Sequence, residues 1–291
     1  MGSPRLPGWI QTSFIKWAGG KAAFYPELHK LMPKEFGRYL EPFLGGGSVF
    51  LNLSPKNALL NDKNTKLINT WRVIKDDVRE LSNKLEEIER DYNALDVEGR
   101  EAMYYRSRDT MNVGGLVGVE LAAMFIFLNR TGYNGLYREN RKGFFNVPHG
   151  RQGKKADEAS SYRHIFVGRG LDIAHVRLEN AEIYNMEFSN FLTKAMADDF
   201  VYLDPPYHEK GSFVSYTNDS WGETELKRLG SALKRLNKIG AKFMLSHNDT
   251  PEARYLFKRY HIHEFMVPRA MGRRKAMQTE AKELVICNYT V

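Results

Sequence analysis

Arg38-Tyr39-Leu40-Glu41-Pro42-Phe43-Leu44-Gly45-Gly46-Gly47-Ser48 is the stretch that decides the fold class. Its first six residues read as a strand. The glycines that follow permit a tight turn and close approach of the backbone to a ligand. Val49 to Leu53 then opens a helix. Strand, glycine turn and helix is the geometry with which α/β proteins bind nucleotide cofactors. The spacing is not G-x-G-x-x-G, and no lysine stands where a phosphate-cradling loop needs one. A dinucleotide or ATP is therefore disfavoured. A small cofactor lying over the turn, against Phe43, Gly45 and Gly47, fits better.

Downstream, Asn57-Ala58-Leu59-Leu60-Asn61-Asp62 reads as a second strand ending in an acid. Asp62 follows the turn by about twenty residues, the offset at which dinucleotide folds place an acid on a ribose diol. An N-cap for a helix from Asn64 onward is the other role open to it. The glycine turn upstream favours the ribose. Upstream, Phe14-Ile15-Lys16-Trp17-Ala18-Gly19-Gly20-Lys21 sets a glycine pair between two lysines, with an aromatic face at Trp17. Phe24 to Met32 reads as a short helix.

The chemistry points to Phe200-Val201-Tyr202-Leu203-Asp204-Pro205-Pro206-Tyr207. An apolar run bounded by a breaker is a core strand. Two prolines forbid its continuation and stiffen the loop after it. Open α/β sheets bind ligands at the carboxyl ends of their strands. Asp204 offers a carboxylate, Pro205 and Pro206 offer carbonyls, and neither proline has an N–H. Tyr207 offers a flat ring. An amine on an aromatic base needs two acceptors for its N–H bonds and a surface to stack on. A plain strand end with a Pro-Pro turn is an equal reading of these four residues alone.

Composition sets the bounds. The chain has 291 residues, 42% hydrophobic, with net charge +8 and pI about 9.3. An anionic partner is implied, and nucleic acid is the first candidate. No apolar stretch approaches the roughly 18 residues of a membrane span. Met1 to Gln11 lacks the apolar region of a secretory signal, so the cytoplasm is the expected location. The single cysteine, Cys287, sits in an apolar run and reads as core packing. It excludes intrachain disulfides and disfavours a cysteine zinc site.

Taken in order, Lys16-Trp17-Ala18-Gly19-Gly20-Lys21, Glu41-Pro42-Phe43-Leu44-Gly45-Gly46-Gly47, Asn61-Asp62 and Asp204-Pro205-Pro206-Tyr207 resemble the Dam and DpnII family of DNA adenine-N6 methyltransferases, the alpha group of the D12 class. The resemblance covers nearly the whole chain. It implies S-adenosylmethionine as cofactor and the 6-amino group of adenine in DNA as acceptor. It implies cofactor contacts from Trp17, Lys21, Asp62 and Asp204. It also implies a Rossmann-like α/β fold with a mixed seven-stranded sheet.

From Thr65 to about Tyr92 the apolar positions recur at helical spacing, Asp96 to Met111 is polar and helical, and Val119 to Asn129 reads as a buried helix. This strandless interval reads as a helical target-recognition insertion, residues 70–160. The catalytic domain is then 1–69 and 161–291. Within the insertion, Asn134-Gly135 is a hairpin signal, with Phe144 to Pro148 as the return strand. Cations surround it: Arg130, Arg138, Arg141, Lys142, Arg151, Lys154 and Lys155. The resemblance implies that this hairpin reads GATC. Arg138 would take guanine, and Leu136 and Pro148 the thymine methyl. Asn134 would fill the gap beside a flipped adenine, with Tyr133 stacked nearby, and Lys16 would be a further base contact.

Beyond the insertion, Ala181 to Asn185 is a strand. Where the family has Asp-Phe to hold the cofactor's adenine, this chain has Asn185-Met186, which can still hydrogen-bond and pack there. Ser212 to Asn218 reads as a mobile flap over the substrate, and Glu223 to Ile239 as a helix ended by Gly240. Ala241 to Ser246, His261 to Val267 and Glu283 to Tyr289 are the remaining strands. His261 and His263 share one face, and no metal site is expected. Arg269, Arg273, Arg274 and Lys275 read as a phosphate-binding loop. Expected partners are DNA, in double-stranded form, and the endonuclease of a restriction system. The expected state is a monomer or weak dimer. A methyltransferase of RNA or of a protein amide, and a non-catalytic DNA-binding relic, are the competing classes. The Asp at the head of the loop disfavours the amide, and the retained polar residues disfavour the relic.

Overall fold

The computed structural model describes residues 13–150, 162–206, 221–269 and 279–290. Seven strands form one sheet: β1 (Tyr39–Glu41), β2 (Ala58–Asn61), β3 (Ala181–Tyr184), β4 (Phe200–Leu203), β5 (Lys242–Asn248), β6 (His261–Arg269) and β7 (Thr279–Cys287). Their order is β3-β2-β1-β4-β5-β7-β6. Strands β1 to β5 are parallel, and β7 lies antiparallel between β5 and β6. Every residue of β1, β2 and β4 is buried. That is why these runs are continuously apolar instead of alternating.

Successive side chains point to opposite faces, and each face has its own core. Tyr39, Leu60, Phe200, Tyr202 and Met244 join one core, on α1 (Tyr25–Leu31), α2 (Ser48–Leu53) and α3 (Thr65–Asp76). The same core extends over α4 (Val78–Ala94), α5 (Val97–Val113), α6 (Gly118–Thr131) and α7 (Gly168–Leu178). Leu40, Leu59, Val201, Leu203, Phe243 and Leu245 join the other, with α8 (Phe188–Phe191), α9 (Glu223–Lys238) and α10 (Pro251–Phe257). Leu229, Leu233 and Leu236 of α9 are fully buried. Each contributes about 1.5–3 kcal/mol, which docks a helix whose other faces are charged.

Several expectations need adjusting. The helical run from Thr65 to Tyr92 is two helices, because the backbone leaves helical geometry at Asp77, where φ is −133°. Helix α3 crosses residue 70, so a domain division there falls inside a helix. The Asn64 side chain, not Asp62, caps α3 by accepting from Leu67 N at 3.0 Å. The hairpin does not turn at Asn134-Gly135. Those residues form a 3-10 turn, with φ of +54° and +65°. The reversal comes at Asn140 to Gly143, where Asn140 Oδ1 accepts from Lys142 N and Phe144 N at 2.9 and 3.2 Å, and Gly143 has φ +76°. That side-chain turn sets the Glu139–Phe145 pairing. Helices α7 and α10 were not foreseen.

Burial raises the Cys287 thiol to about 12, which suits packing and not nucleophilic chemistry. Tyr207, the Ser212–Asn218 flap, Arg151, Lys154, Lys155, Arg273, Arg274 and Lys275 lie outside the described residues, as does the Arg269 side chain. No described helix is long and apolar enough to cross a membrane.

Candidate active site

Strand order reverses between β1 and β4, and their carboxyl ends lie side by side. A crevice at such a point is the usual ligand position in open α/β sheets. The loop after β4 begins with Asp204, half-buried, then buried Pro205 and exposed Pro206. The loop after β1 is the glycine turn. Gly47 N donates to Leu44 O at 2.7 Å, and Leu44 N to Asn61 O on β2 at 2.9 Å.

Two indoles make the glycines obligatory. Gly45 and Gly47 have φ of +49° and +63°. A Cβ on Gly45 would lie 2.7 Å from the Trp17 ring, and one on Gly47 2.6 Å from the Trp71 ring. Trp71 Nε1 donates to Gly45 O at 3.1 Å. Trp17 stacks on Tyr137 with centroids 5.4 Å apart. Trp17 thus backs the turn, as Trp71 does from α3. Phe43 packs on Phe188 and Trp221 at 5.3 and 5.4 Å, giving one side of the crevice an aromatic wall.

Asp62 is tied to this turn. Its Oδ2 accepts from Gly45 N and its Oδ1 from Asn64 N, both at 2.9 Å. Burial raises its pKa, and these backbone donors oppose the rise. Asn185 differs from expectation. Its amide donates to the carbonyls of Asp62 and Lys63 at 2.8 and 3.1 Å, and its Oδ1 accepts from Thr65 at 3.0 Å. Those bonds clamp the Asp62 loop. Sequence alone could not tell which donor the side chain would prefer.

Lys21, 6% exposed, reaches the acidic loop. Its Nζ donates to Asp204 Oδ1 at 2.9 Å and to Gly19 O at 3.1 Å, and lies 3.3 Å from Glu283 Oε1 on β7. Burial works against the ammonium, but the charges of Asp204 and Glu283 prevail and raise its pKa. Glu41 and Glu283, which the sequence places in a motif and a strand without a role, also stand here. The Glu41 carboxyl is buried at the end of β1 and accepts from Tyr39 Oη at 2.7 Å. Burial, reinforced by the Asp204 charge, lifts its pKa well above the carboxylate range, which favours the protonated form.

Asn129 joins Lys16 to the turn that carries Tyr133 and Asn134. Its Oδ1 accepts from Lys16 N at 2.8 Å, and its Nδ2 donates to Lys16 O at 2.8 Å and Gly135 O at 3.0 Å. A Cβ on Gly135 would run into the Lys16 stem. The segment carrying Lys16, Trp17 and Lys21 is thereby fastened to the turn carrying Tyr133 and Asn134. Lys16, Tyr133, Asn134 and Pro148 are exposed, while Leu136 and Arg138 are half-buried. Tyr133 N donates to Pro148 O at 2.9 Å. Arg138 Nε donates to Asn146 Oδ1 at 2.7 Å, which fixes the guanidinium plane. Partial burial, then the charges of Arg130 and Arg163, lower the Lys16 pKa.

Compared with known proteins, residues 17–271 match the family described as D12 class N6 adenine-specific DNA methyltransferase. The chain is 32% identical over 284 residues to the Type II methyltransferase M1.LlaDCHI of Lactococcus lactis subsp. cremoris, with 95% of each chain covered. It is 34% identical over 292 residues to the Type II methyltransferase M.MjaIII of Methanocaldococcus jannaschii, covering 95% of this chain and 98% of that one. It is 28% identical over 277 residues to the DNA adenine methylase of Haemophilus influenzae, covering 94% of this chain and 92% of that one.

Proposed function

Because the chain belongs to the D12 class of N6 adenine-specific DNA methyltransferases, we propose that it methylates a flipped adenine within GATC, with S-adenosylmethionine as donor. The observation that carries this reading is the meeting, at one strand-order switch, of the Asp204-Pro205-Pro206 loop, the Gly45–Gly47 turn and Asp62.

The crevice suits the donor. Its glycine turn leaves backbone bare for close approach, and Asp62 retains acceptor capacity beyond its backbone donors Gly45, Lys63 and Asn64. Trp221 Nε1 is buried without an acceptor among the described residues, beside the Phe43 ring. A purine supplies both ring nitrogens and a face. Phe43, Met186 and Trp221 would hold that base, Asp62 the ribose, and Gly45 and Gly47 the backbone approach. Asn185 keeps the Asp62 loop in place. When bound, the donor supplies an electrophilic methyl on a sulfonium.

An adenine inside the duplex cannot reach this crevice, so the base must leave the stack. Its amino lone pair is delocalised into the ring. Asp204 and the Pro205 carbonyl accept the two N–H bonds, which favours a pyramidal nitrogen with a localised lone pair. Positive charge growing on that nitrogen lies beside a carboxylate fixed in advance. Tyr207 stacks on the base. The N6–methyl bond would form as the methyl–sulfur bond breaks and the neutral thioether leaves, with no covalent enzyme intermediate, and the cationic nitrogen would then lose one proton to solvent. The recognition insertion is residues 70–160, with 1–69 and 161–291 as the catalytic unit, and α3 bridges the two at their first boundary. The substrate is double-stranded DNA, and likeness to Type II relatives supports an endonuclease partner.

Labelled methyl transfer to paired duplexes tests the reading. Incorporation is expected into GATC and not into the same duplex with its adenine replaced. Incorporation into both would remove the assigned specificity, and incorporation into neither would remove GATC as the site. Arg138→Ala is expected to relax discrimination at the guanine about 10- to 100-fold, the roughly 1–3 kcal/mol of a bidentate contact. The check is the kcat/KM ratio for GATC over a guanine-substituted site. An unchanged ratio would take that role from Arg138.

A further inference from the structure

We infer that Glu283 is a positioning residue for methyl transfer: through Lys21 it holds the Asp204 carboxylate in place and draws on the charge of the ammonium between them. The inference rests on the reading of Asp204 as the amine's acceptor. The ammonium of Lys21 has three N–H bonds. Among the described residues it meets Gly19 O at 3.1 Å, Asp204 Oδ1 at 2.9 Å and Glu283 Oε1 at 3.3 Å. The side chains of Lys21 and Glu283 are only 7% and 10% exposed, and that of Asp204 20%. Solvent therefore screens this trio weakly.

A buried lysine paired with Asp204 alone would create an electrostatic difficulty. The pair would be neutral, and the ammonium would offset the carboxylate's pull on an amine becoming positive. A second carboxylate on the same ammonium lessens that offset, because Lys21 Nζ is shared between Asp204 Oδ1 and Glu283 Oε1. Glu41 does not serve in its place, since its carboxyl is engaged by Tyr39. Glu283 reaches the trio because β7 runs antiparallel beside β5, with Glu283 opposite Asn248. Leu284 and Ile286 face the other core, while Val285 and Cys287 share the core of Tyr202. Glu283 is thus the acid at the point where this strand passes the carboxyl end of the sheet's centre.

Glu283→Gln keeps size and removes charge. We expect kcat for the GATC duplex to fall about 10- to 100-fold, with KM for DNA and calorimetric affinity for S-adenosylhomocysteine within about twofold of wild type. Glu283→Asp restores the charge with a shorter reach and is expected to recover an intermediate rate. A merely structural role predicts a lower Tm with kcat retained, and that result would overturn the inference. Where Glu283→Gln does not accumulate, Glu283→Asp decides alone: an intermediate kcat supports the inference and a wild-type kcat overturns it. Asp204→Ala is measured in parallel. An active Asp204→Ala removes the Asp204 reading itself. An inactive one beside a Glu283→Gln with wild-type kcat removes only the role of Glu283.

Discussion

Asp204→Ala is expected to lower the methyl-transfer rate by roughly a thousandfold, the upper range for removing one preorganised electrostatic group. Alanine takes away both the acceptor for the amine N–H and the charge beside the developing cation. Glu41 does not replace it, since its carboxyl accepts from Tyr39 Oη. Fold stability should fall less than a buried ion pair usually implies. Stripping a buried cation of its partner costs about 3–5 kcal/mol, but Lys21 keeps Glu283 at 3.3 Å. Single-turnover transfer, read with calorimetric binding of S-adenosylhomocysteine, separates the two effects. Binding retained with transfer lost is the expected pair. Near-full transfer would take the chemistry away from this loop.

Gly47→Ala is expected to destabilise the fold by about 2–5 kcal/mol and to weaken cofactor binding. A left-handed backbone costs an L-residue about 1–2 kcal/mol, and here φ is +63°. Overpacking adds about 1–3 kcal/mol, because the new methyl would sit 2.6 Å from two ring carbons of Trp71. That ring cannot yield. Its N–H is bonded to Gly45 O, and Phe14 and Phe50 meet it edge-on at 4.8 and 6.4 Å. Any shift of the indole pulls Gly45, and Gly45 N is bonded to Asp62. The strain therefore reaches the proposed ribose acceptor. Urea unfolding at constant m checks the first part and calorimetry the second. Gly19→Ala is the control: its φ is +77° but its Cβ would meet open space, so it isolates the backbone contribution. Equal stability of Gly47→Ala and wild type would mean that the turn has room to repack.

Much of this protein was written locally. The runs around Leu40, Leu59, Val201 and Phe243 are apolar because both faces of the central strands are covered. Pro205, Pro206 and the triple glycine end or turn the chain by their own backbone restrictions. Such signals need no distant partner, so the strands, the glycine turn, the acidic loop and the buried Cys287 were legible. The break between α3 and α4 was not, because no glycine or proline marks Asp77. Nor was the hairpin tip. Asn-Gly at 134 and 135 is the stronger dipeptide signal, yet Asn129 holds Gly135 in a different turn, and Asn140 makes the reversal with its own side chain.

What only the tertiary structure decided is which polar groups meet. Lys21 could have faced solvent, and nothing near Glu283 in sequence announces a lysine from the other end of the chain. Their contact exists because β7 lies between β5 and β6, an order that depends on how both cores fill. Asn185 likewise had donors for an adenine, and the fold spends them on the Asp62 loop. Periodicity and turn chemistry are short-range properties, fixed by a few neighbouring dihedrals. Charge pairing across a sheet is long-range. It is selected only when the whole packed core repays the entropy of bringing distant segments together.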